Sequence, residues 1–494
     1  MMSLRSLKRV ALSLSTLVLV VGLGMYQSLA QPPAPWRIGT DPAFPPFEMR
    51  DEATGKLTGF DIELIQAIAK QAGQHVQFVQ MPFDGLIPAL QSRSVDAVIS
   101  AMTTTAQRAQ AVDFSQPYFR AGLAIAVQEG NQTIRSLDDL QNRRIAVQIG
   151  TIGAQKAVTI PGAKVSQFDS APLSLQELAN GNVDAVIHDQ PAMLYAISEA
   201  NLTGIKPVGA LLTEDFYGIA APRNSTVLPQ INTALNQLIA DGTYVRIYQN
   251  WFNQTPPELP TVAPALQEKT RENGLNWGVL AKNLMQGTGV TLSLTVFSFS
   301  FGAMGGTLIA LLLLTRNRFL VGLCQTYVYF FRGTPMLVQL FMIYFGIPAL
   351  FQELGWTLNL DRFLAAVLAL SLNVAAYLSE TLRAGIESIE RGQWEAGESL
   401  AMNPLENLRF VILPQALRRT LPPLANEFIT LIKDTSLAAV IGFDELFRQG
   451  QLAVATTYRA FEIYIAVAII YLAITTLAAL LFRRLEKAMA IATS

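Results

Sequence analysis

The 494-residue sequence holds one cysteine, Cys324, and only two histidines, His75 and His188. A single cysteine excludes an intrachain disulfide and a cysteine-based zinc cluster, and two histidines argue against a multi-histidine metal centre. No G-x-x-x-x-G-K-[ST] loop is present to cradle nucleotide phosphates, and no G-x-S-x-G elbow to raise a serine nucleophile. Nothing in the chain calls for a cofactor. Charge is scarce too: 15% of residues are Asp, Glu, Lys or Arg, well below the usual share. With 36 basic against 37 acidic residues the formal net charge is −1, so no overall field draws nucleic acid. What fills the chain is apolar, 51% of residues at a mean hydropathy of +0.32, which implies membrane segments. Any energy for work has to come from another chain.

The N-terminus reads as an export signal over residues 1–30. Arg5, Lys8 and Arg9 precede an apolar run from Val10 to Met25, and Ser28-Leu29-Ala30 places small residues at a cleavage site. The alternative is an uncleaved anchor helix; either way, the chain beyond residue 30 is expected to emerge outside the cytoplasm. Residues 31–254 then read as a soluble α/β domain. Strands such as "RIGT" and "RRIAVQIG" alternate with helical patterns such as "FDIELIQAIAKQAG".

This half repeats itself. "GLIPALQSRSVDAVIS" (Gly85–Ser100) and "SLQELANGNVDAVIHD" (Ser174–Asp189) each read as helix, turn and the same strand, Val-Asp-Ala-Val-Ile. The repeat implies two similar lobes, the first about 36–121 and 220–254, the second about 122–219. Ligands of open α/β sheets bind beyond the C-terminal ends of strands. Arg108 and Asp189 leave equivalent edges of the two lobes. A guanidinium suits bidentate capture of a carboxylate, and a carboxylate opposite it can hold an ammonium. Together they would clamp the two ends of a free α-amino acid, with Thr103 and Thr151 adding hydroxyl bonds. The plainer readings are a solvated helix charge for Arg108 and a helix N-cap before Pro191 for Asp189. Around "GTDPAFPPFE", Phe44 and Phe83 are placed to sandwich the ligand side chain, although such aromatics are more often core. Asp41 and Glu48 would make the pocket negative, favouring amide or cationic side chains.

"GTDPAFPPFE", "GKLTGFDIELIQAIAK", "PFDGLIPALQ" and "TTTAQRAQAVDFSQPY" together resemble the type II periplasmic binding proteins for polar amino acids. The resemblance covers nearly all of 36–254. It implies carboxylate binding by Arg108, amino-group binding by Asp189, roles for Thr103 and Thr151, and side-chain contacts for Asp41, Phe44 and Phe83. Gln148 stands where some members carry Lys, and Ala101 where many carry Gly.

After the Pro-rich and then charged linker (255–284), the chain changes character. Val290–Leu314 and Ile463–Phe482 contain no charged residue, and each is long enough to span a bilayer. Less clean spans fall near Thr334–Phe351, Arg362–Leu382 and Asn426–Phe443, giving an expectation of five membrane helices within a domain at 285–490. Arg316 and Arg318, then Arg383, Arg391, Arg409, Arg418 and Arg419, then Arg483, Arg484 and Lys487 all fall on one side of that arrangement, the expected cytoplasmic side. Glu380 and the Lys433-Asp434 pair lie in or beside spans, where ionisable groups are costly. Glu380 is a weak candidate for a translocation path, and Lys433 and Asp434 are expected to neutralise each other.

"RGTPMLVQLFMIYFGIP", "SLNVAAYLSETLRAGIESI", "QWEAGESLAMNPLENLRFVILPQALRR" and "ILPQALRRTLPPLANEFITLIKDTSL" resemble the polar amino acid permeases of ATP-binding-cassette importers. That resemblance implies a bacterial inner-membrane protein with its binding domain outside and its C-terminus in the cytoplasm. It also implies a homodimer of permease domains in lipid and a separate ATPase subunit. In such permeases an E-A-A-x₃-G-x₉-I-x-L-P loop forms coupling helices that seat in the ATPase. Here Glu395-Ala396-Gly397 and Val411-x-Leu413-Pro414 keep the spacing. Gly397 replaces the second Ala, and Ala401 stands where the family has Gly. Since Ala tolerates φ > 0 poorly, the turn is expected to change, with Asn403-Pro404 supplying it instead. Leu400, Met402 and Leu405 would fill a partner groove, while Glu395 and Arg409 set register. The bland alternative for this stretch is a solvated positive-inside loop. For the whole chain the rival class is an amino-acid-sensing receptor or ligand-gated channel, which would need an output domain or a pore loop.

Overall fold

The computed structural model describes residues 34–199, 202–266, 276–356, 358 and 360–491. The expected export signal lies outside the described residues, as does part of the linker.

The α/β half contains two five-stranded sheets. The first orders β4 (Val76–Gln80), β1 (Trp36–Thr40), β5 (Ala97–Val98), β12 (Asp215–Ala221) and β6 (Asp113–Ala121). The second orders β11 (Ile205–Val208), β7 (Leu123–Gln128), β10 (Ala185–Asp189), β8 (Arg144–Gln148) and β9 (Lys164–Phe168). A small hairpin pairs β2 (Met49–Arg50) with β3 (Leu57–Thr58). The chain crosses between sheets twice, from β6 into β7 and from β11 into β12. Because β12 belongs to the first sheet, the return crossing falls before Asp215 and not at the expected 219.

The internal echo has a physical basis. β5 runs parallel to β1 with Ile38 opposite Ala97, and β10 runs parallel to β8 with Ile145 opposite Ala185. In both lobes the aspartate of Val-Asp-Ala-Val-Ile ties down an arginine within the first two residues of the neighbouring strand. Asp96 accepts the Arg37 backbone N–H at 2.9 Å and its guanidinium at 2.7 Å. Asp184 does the same for Arg144 at 2.9 and 2.7 Å. The apolar residues of each repeat face their own cores, with Ala97 and Ile99 in one and Ala185 and Ile187 in the other.

The C-terminal half is helical. Three described helices are long and apolar enough to cross a membrane: Trp277–Leu313, Arg362–Glu387 and Ala460–Ala488. The number rises to four if Arg318–Gly333 and Met336–Phe351, bent by 109°, count as one span. The sequence suggests five spans, and two of them need correction. Thr334–Phe351 is one arm of the bent pair, broken where Pro335 follows Gly333 and Thr334. Asn426–Phe443 is no continuous helix. It is the end of Leu413–Asp434, which carries Arg418, Arg419 and two internal prolines, followed by a tighter turn over Thr435–Ile441.

The first two long helices pack closely because Gly302 and Gly306, four residues apart, present bare backbone. A Cβ at Gly302 would lie 2.6 Å from the Val374 side chain, and one at Gly306 would lie 2.9 Å from the Ala375 carbonyl. At one end of Arg362–Glu387, the Arg362 guanidinium donates to Ser166 Oγ of the second lobe at 2.6 Å. The other end leads into Arg391–Ser399. A 26-residue helix therefore separates the α/β half from the arginine-bearing loop, by about 39 Å at 1.5 Å per residue.

Candidate functional site

Arg108 begins a single 3₁₀ turn just after the first lobe's strand end, and it is 1% exposed. It is no solvated helix charge. Its guanidinium donates to the Thr103 carbonyl at 2.7 Å and, across the cleft, to the Gly150 carbonyl of the second lobe at 3.0 Å. The Phe83 ring lies beneath it, 5.2 Å from centroid to guanidinium carbon. Asp189 occupies the N-cap position of Gln190–Ser198, yet its side chain makes no cap bond. It is buried instead, and burial pushes its carboxyl up to about 7.

Other groups complete the wall. Gln148 donates to Asp41 at 3.1 Å, a second bond between lobes, and burial pushes the Asp41 carboxyl up to about 6. Phe44 stacks on His188 with ring centroids 5.1 Å apart, a third cross-lobe contact. Burial holds His188 neutral, down to about 4. Phe44 and Phe83 therefore lie on different partners, His188 and Arg108. Thr151 is committed as a helix cap, donating to the Gln148 carbonyl at 2.7 Å and accepting from Ala154 N–H at 3.2 Å. Thr103 bridges to Tyr217 through the backbone. Ala101 carries a left-handed φ of 42°, the conformation for which Gly is the easier residue.

Glu48 is not an open pocket acid. It is fully buried, accepts from Ser100 Oγ, and lies close enough to Asp61 that burial and this second carboxylate hold its pKa well above the ordinary value. Asp61 in turn accepts from Ala101 N–H and from Tyr118 Oη, each at 2.7 Å. Sequence reasoning missed Asp61, Ser100 and Tyr217. A buried acid on an amphipathic helix leaves no mark in hydrophobic periodicity. Among the described residues, Arg108 Nε, Gln148 Oε1 and Asp189 Oδ1 are buried without a close hydrogen-bond partner, and Tyr217 Oη lies near enough to Asp189 to favour its ionised form. Such atoms cost stability and are rare in native interiors. Their clustering between two lobes makes this cleft the candidate binding site.

The loop at the far end of the permease helix is built differently. Arg391–Ser399 ends in a left-handed turn at Ala401, φ 57°, where Met402 N–H donates to the Gly397 carbonyl at 3.2 Å. The turn thus survives without Gly. Asn403 does not replace it; with Glu406 it forms a capping box that starts the next short helix, Pro404–Asn407. Gly397 is required locally. A Cβ there would fall 2.2 Å from Asn407 Oδ1, and Asn407 is buried, donating to the Trp394 carbonyl at 2.8 Å. Ala396 shares this helix, and Leu413 and Pro414 open the next long helix. Leu400 and Leu405 are each 71% exposed, and Phe410 is 62% exposed. Glu395 pairs with Arg391 at 3.2 Å on the open surface, and Arg409 lies over the Phe410 ring. Of the charges expected in or beside spans, Glu380 pairs with Arg383 at 2.7 Å. Lys433 and Asp434 make no ion pair among the described residues. Asp434 and Glu427 instead line a cavity of about 330 Å³ with Thr334, Asn373 and Tyr377.

Residues 36–254 match the bacterial extracellular solute-binding proteins, family 3, and residues 302–491 match the binding-protein-dependent transport system inner membrane component. A probable amino-acid permease protein of Bacillus subtilis is 39% identical over 220 residues, 44% of this chain and 97% of that protein. This chain belongs to the amino-acid ABC permeases and carries a family 3 solute-binding domain. The glutamine transport system permease protein of Escherichia coli is 41% identical over 208 residues, 42% of this chain and 93% of that protein. Among solved structures, an ancestral arginine-binding protein bound to arginine is 46% identical, spanning 45% of this chain and all of that one at a TM-score of 0.43. Both matched families are transporter components, one binding and one permease, and the ABC context implies an ATPase partner.

Proposed function

We propose that the chain captures a free polar amino acid, glutamine or one of the basic amino acids, and passes it through its own permease half in a bacterial inner membrane. The observation that carries this reading is the facing pair Arg108 and Asp189. They come from opposite lobes, both are buried, and both keep an unpartnered polar atom. Arg108 would take the ligand carboxylate, exchanging its bond to the Gly150 carbonyl for a charge-assisted one. Asp189 would take the ammonium, aided by Thr103 and Thr151. Phe44, Phe83, Ala101 and Gln148 would shape the side-chain space, with Asp41 as its charge. Asp41 favours a cationic or amide side chain over an acidic one. Glu48 would act from behind, through Ser100.

The exposed apolar tips Leu400, Leu405 and Phe410 support a docking role for Arg391–Pro414 on an ATPase, through Glu395, Ala396, Gly397, Ala401, Leu413 and Pro414. The arginines in and beside that loop (Arg383, Arg391, Arg409, Arg418 and Arg419), and its separation from the receptor by a full helix, support a cytoplasmic position. Two permease halves would pair in the bilayer, bringing two receptors to each transporter. The test is calorimetric titration of the full-length chain against all twenty L-amino acids. Preference for glutamine, arginine, lysine or histidine is expected; preference for glutamate would overturn the substrate assignment.

A further inference from the structure

Glu48 and Asp61 are buried side by side behind the cleft, both 0% exposed. Asp61 lies in the first turn of the Phe60–Gln71 helix, and its backbone N–H donates to the carbonyl of Phe47, the residue before Glu48, at 2.9 Å. The two side chains grip consecutive residues. Glu48 Oε1 accepts from Ser100 Oγ, and Asp61 Oδ2 accepts from Ala101 N–H at 2.7 Å. Asp61 Oδ2 also accepts from Tyr118 Oη at 2.7 Å. One oxygen on each acid, Glu48 Oε2 and Asp61 Oδ1, is left with no donor from any other group, and the two carboxyls are hydrogen-bonded to each other.

No cation offsets them: among the described residues neither acid makes an ion pair. The titratable groups facing the pair are Asp41, from the loop after β1, and Tyr118 and Tyr217, from β6 and β12. Of the elements packed on Phe60–Gln71, β3, β4 and the Val227–Ala240 helix carry no ionisable side chain. In the Thr243–Phe252 helix, Arg246 is exposed, Tyr244 donates to the Tyr118 carbonyl at 2.7 Å, and Tyr248 meets the Phe60 ring edge-on.

Two adjacent buried carboxylates without a cation do not both ionise, whereas one proton between them satisfies both free oxygens. The other donors decide where it sits. Asp61 accepts from two groups and Glu48 from one, which favours the charge on Asp61. Glu48 Oε2 therefore carries the proton and donates to Asp61 Oδ1. What the pair holds is the first-lobe wall of the cleft. Ser100 Oγ accepts the Asp41 backbone N–H at 3.2 Å, and Ala101 keeps its left-handed φ of 42°. Just beyond, the Thr103 carbonyl accepts from Arg108 at 2.7 Å.

We propose that Glu48 and Asp61 share a single proton, and that this acid pair is a clasp positioning Ser100 and Ala101, and through them Asp41 and Arg108, for the amino acid. The positioning role rests on the cleft being the amino-acid site; the shared proton does not. Burial and Asp61 raise the folded Glu48 carboxyl above its ordinary value of 4.5. The stabilisation from its neutral form is therefore complete below that value and is lost as pH rises towards the folded one.

The test uses the full-length chain in a detergent free of carbonyl groups. At about pH 8, the parent infrared spectrum minus that of Glu48→Gln should leave a protonated-carboxyl C=O band. The parent minus Asp61→Asn should leave the same band. There the Ala101 N–H pins the Asn oxygen, so the Asn amide faces Glu48, donates to it and displaces the proton. A parent without the band, or a band that survives Asp61→Asn, overturns the shared proton. From about pH 5 to about pH 8, the parent's melting temperature should fall relative to that of Glu48→Gln, whose amide donates to Asp61 without titrating. A gap that does not widen overturns it too. For positioning, Asp61→Leu removes both acceptor oxygens, and calorimetric affinity for L-arginine and L-glutamine should fall by the same factor, about tenfold. Ala101→Gly added to Asp61→Leu should recover part of that loss, since Gly holds a positive φ without the clasp. Should Asp61→Leu not fold, Ser100→Ala cuts Glu48 from Asp41 and should weaken both ligands alike. A lowered melting temperature with unchanged affinity in these variants overturns the positioning role. If neither amino acid binds the parent chain, the cleft reading fails, and the infrared and melting results still decide the shared proton.

Discussion

The cleft and the Arg391–Pro414 loop break opposite rules of protein surfaces. Between the lobes, Arg108, Gln148 and Asp189 are buried with polar atoms unpaired. On the loop, Leu400, Leu405 and Phe410 stand in the open. A buried polar atom without a partner loses its hydration, and an exposed large apolar side chain forgoes burial of about 1.5–3 kcal/mol. Each region leaves unsatisfied what its proposed partner would supply: charges at the cleft and an apolar groove at the loop.

The largest expected effect breaks the cleft side of that contrast. Arg108→Ala should weaken amino-acid binding by about 2–5 kcal/mol, as loss of one partner of a buried charge pair does. Calorimetry on the full-length chain reads this directly, and unchanged affinity would move the site elsewhere.

On the loop side, Glu395→Lys reverses a charge on an exposed helix, and like-charge contacts in a complementary groove cost several kcal/mol. Uptake in proteoliposomes and co-purification with the ATPase should both be lost while ligand affinity stays the same. Persistent uptake would leave the loop a passive connector. Loss of uptake with the ATPase still bound would place the defect in the membrane path.

Asp189 offers a pH test of the cleft alone. Burial disfavours the charged form and pushes its carboxyl up to about 7. A ligand ammonium favours that charged form, so binding lowers the pKa and releases a proton. Affinity should therefore be full above pH 7 and fall as pH drops through 7, by at most about 1.4 kcal/mol per pH unit. Asp189→Asn should bind more weakly and flatten the profile. A profile in Asp189→Asn as steep as the parent's would assign the proton to another group.

Within the cleft, Asp41 and Glu48 now separate. Asp41 reaches Gln148 across the cleft, whereas Glu48 is closed off behind Ser100. Asp41→Asn should weaken arginine and lysine more than glutamine, by about 1 kcal/mol in the difference. Glu48→Gln should shift all ligands alike and alter thermal stability. Equal losses across ligands in Asp41→Asn would show that Asp41 serves the structure only.

The smallest effects compare both regions through one substitution. Ala101 and Ala401 each hold a left-handed backbone, so Ala101→Gly and Ala401→Gly should each relieve about 1 kcal/mol of strain. Raised melting temperatures are expected in both. A fall at either position would mean that the lost methyl contact outweighs the strain.

Some of this was written in local sequence because its causes are local. The repeated Val-Asp-Ala-Val-Ile announces two lobes since each copy needs the same aspartate to hold the arginine of the adjoining strand, Arg37 or Arg144. Arg108 and Asp189 were legible because strand ends can be located by alternation and turn residues. Membrane character in the two uncharged runs needed only composition. The count of spans was not legible: Thr334–Phe351 and Asn426–Phe443 carry enough apolar residues, but Pro335 and the turn after Asp434 bend the chain where only packing sets the direction. Glu48 looked like a pocket acid until the fold put Ser100 and Asp61 around it. The pairing of Arg448 with Asp169 belongs wholly to the tertiary structure. A residue of the second lobe and one of a permease helix, 279 positions apart, share no periodicity or motif. Long-range electrostatic pairing depends on distances between elements, and no local pattern encodes those distances.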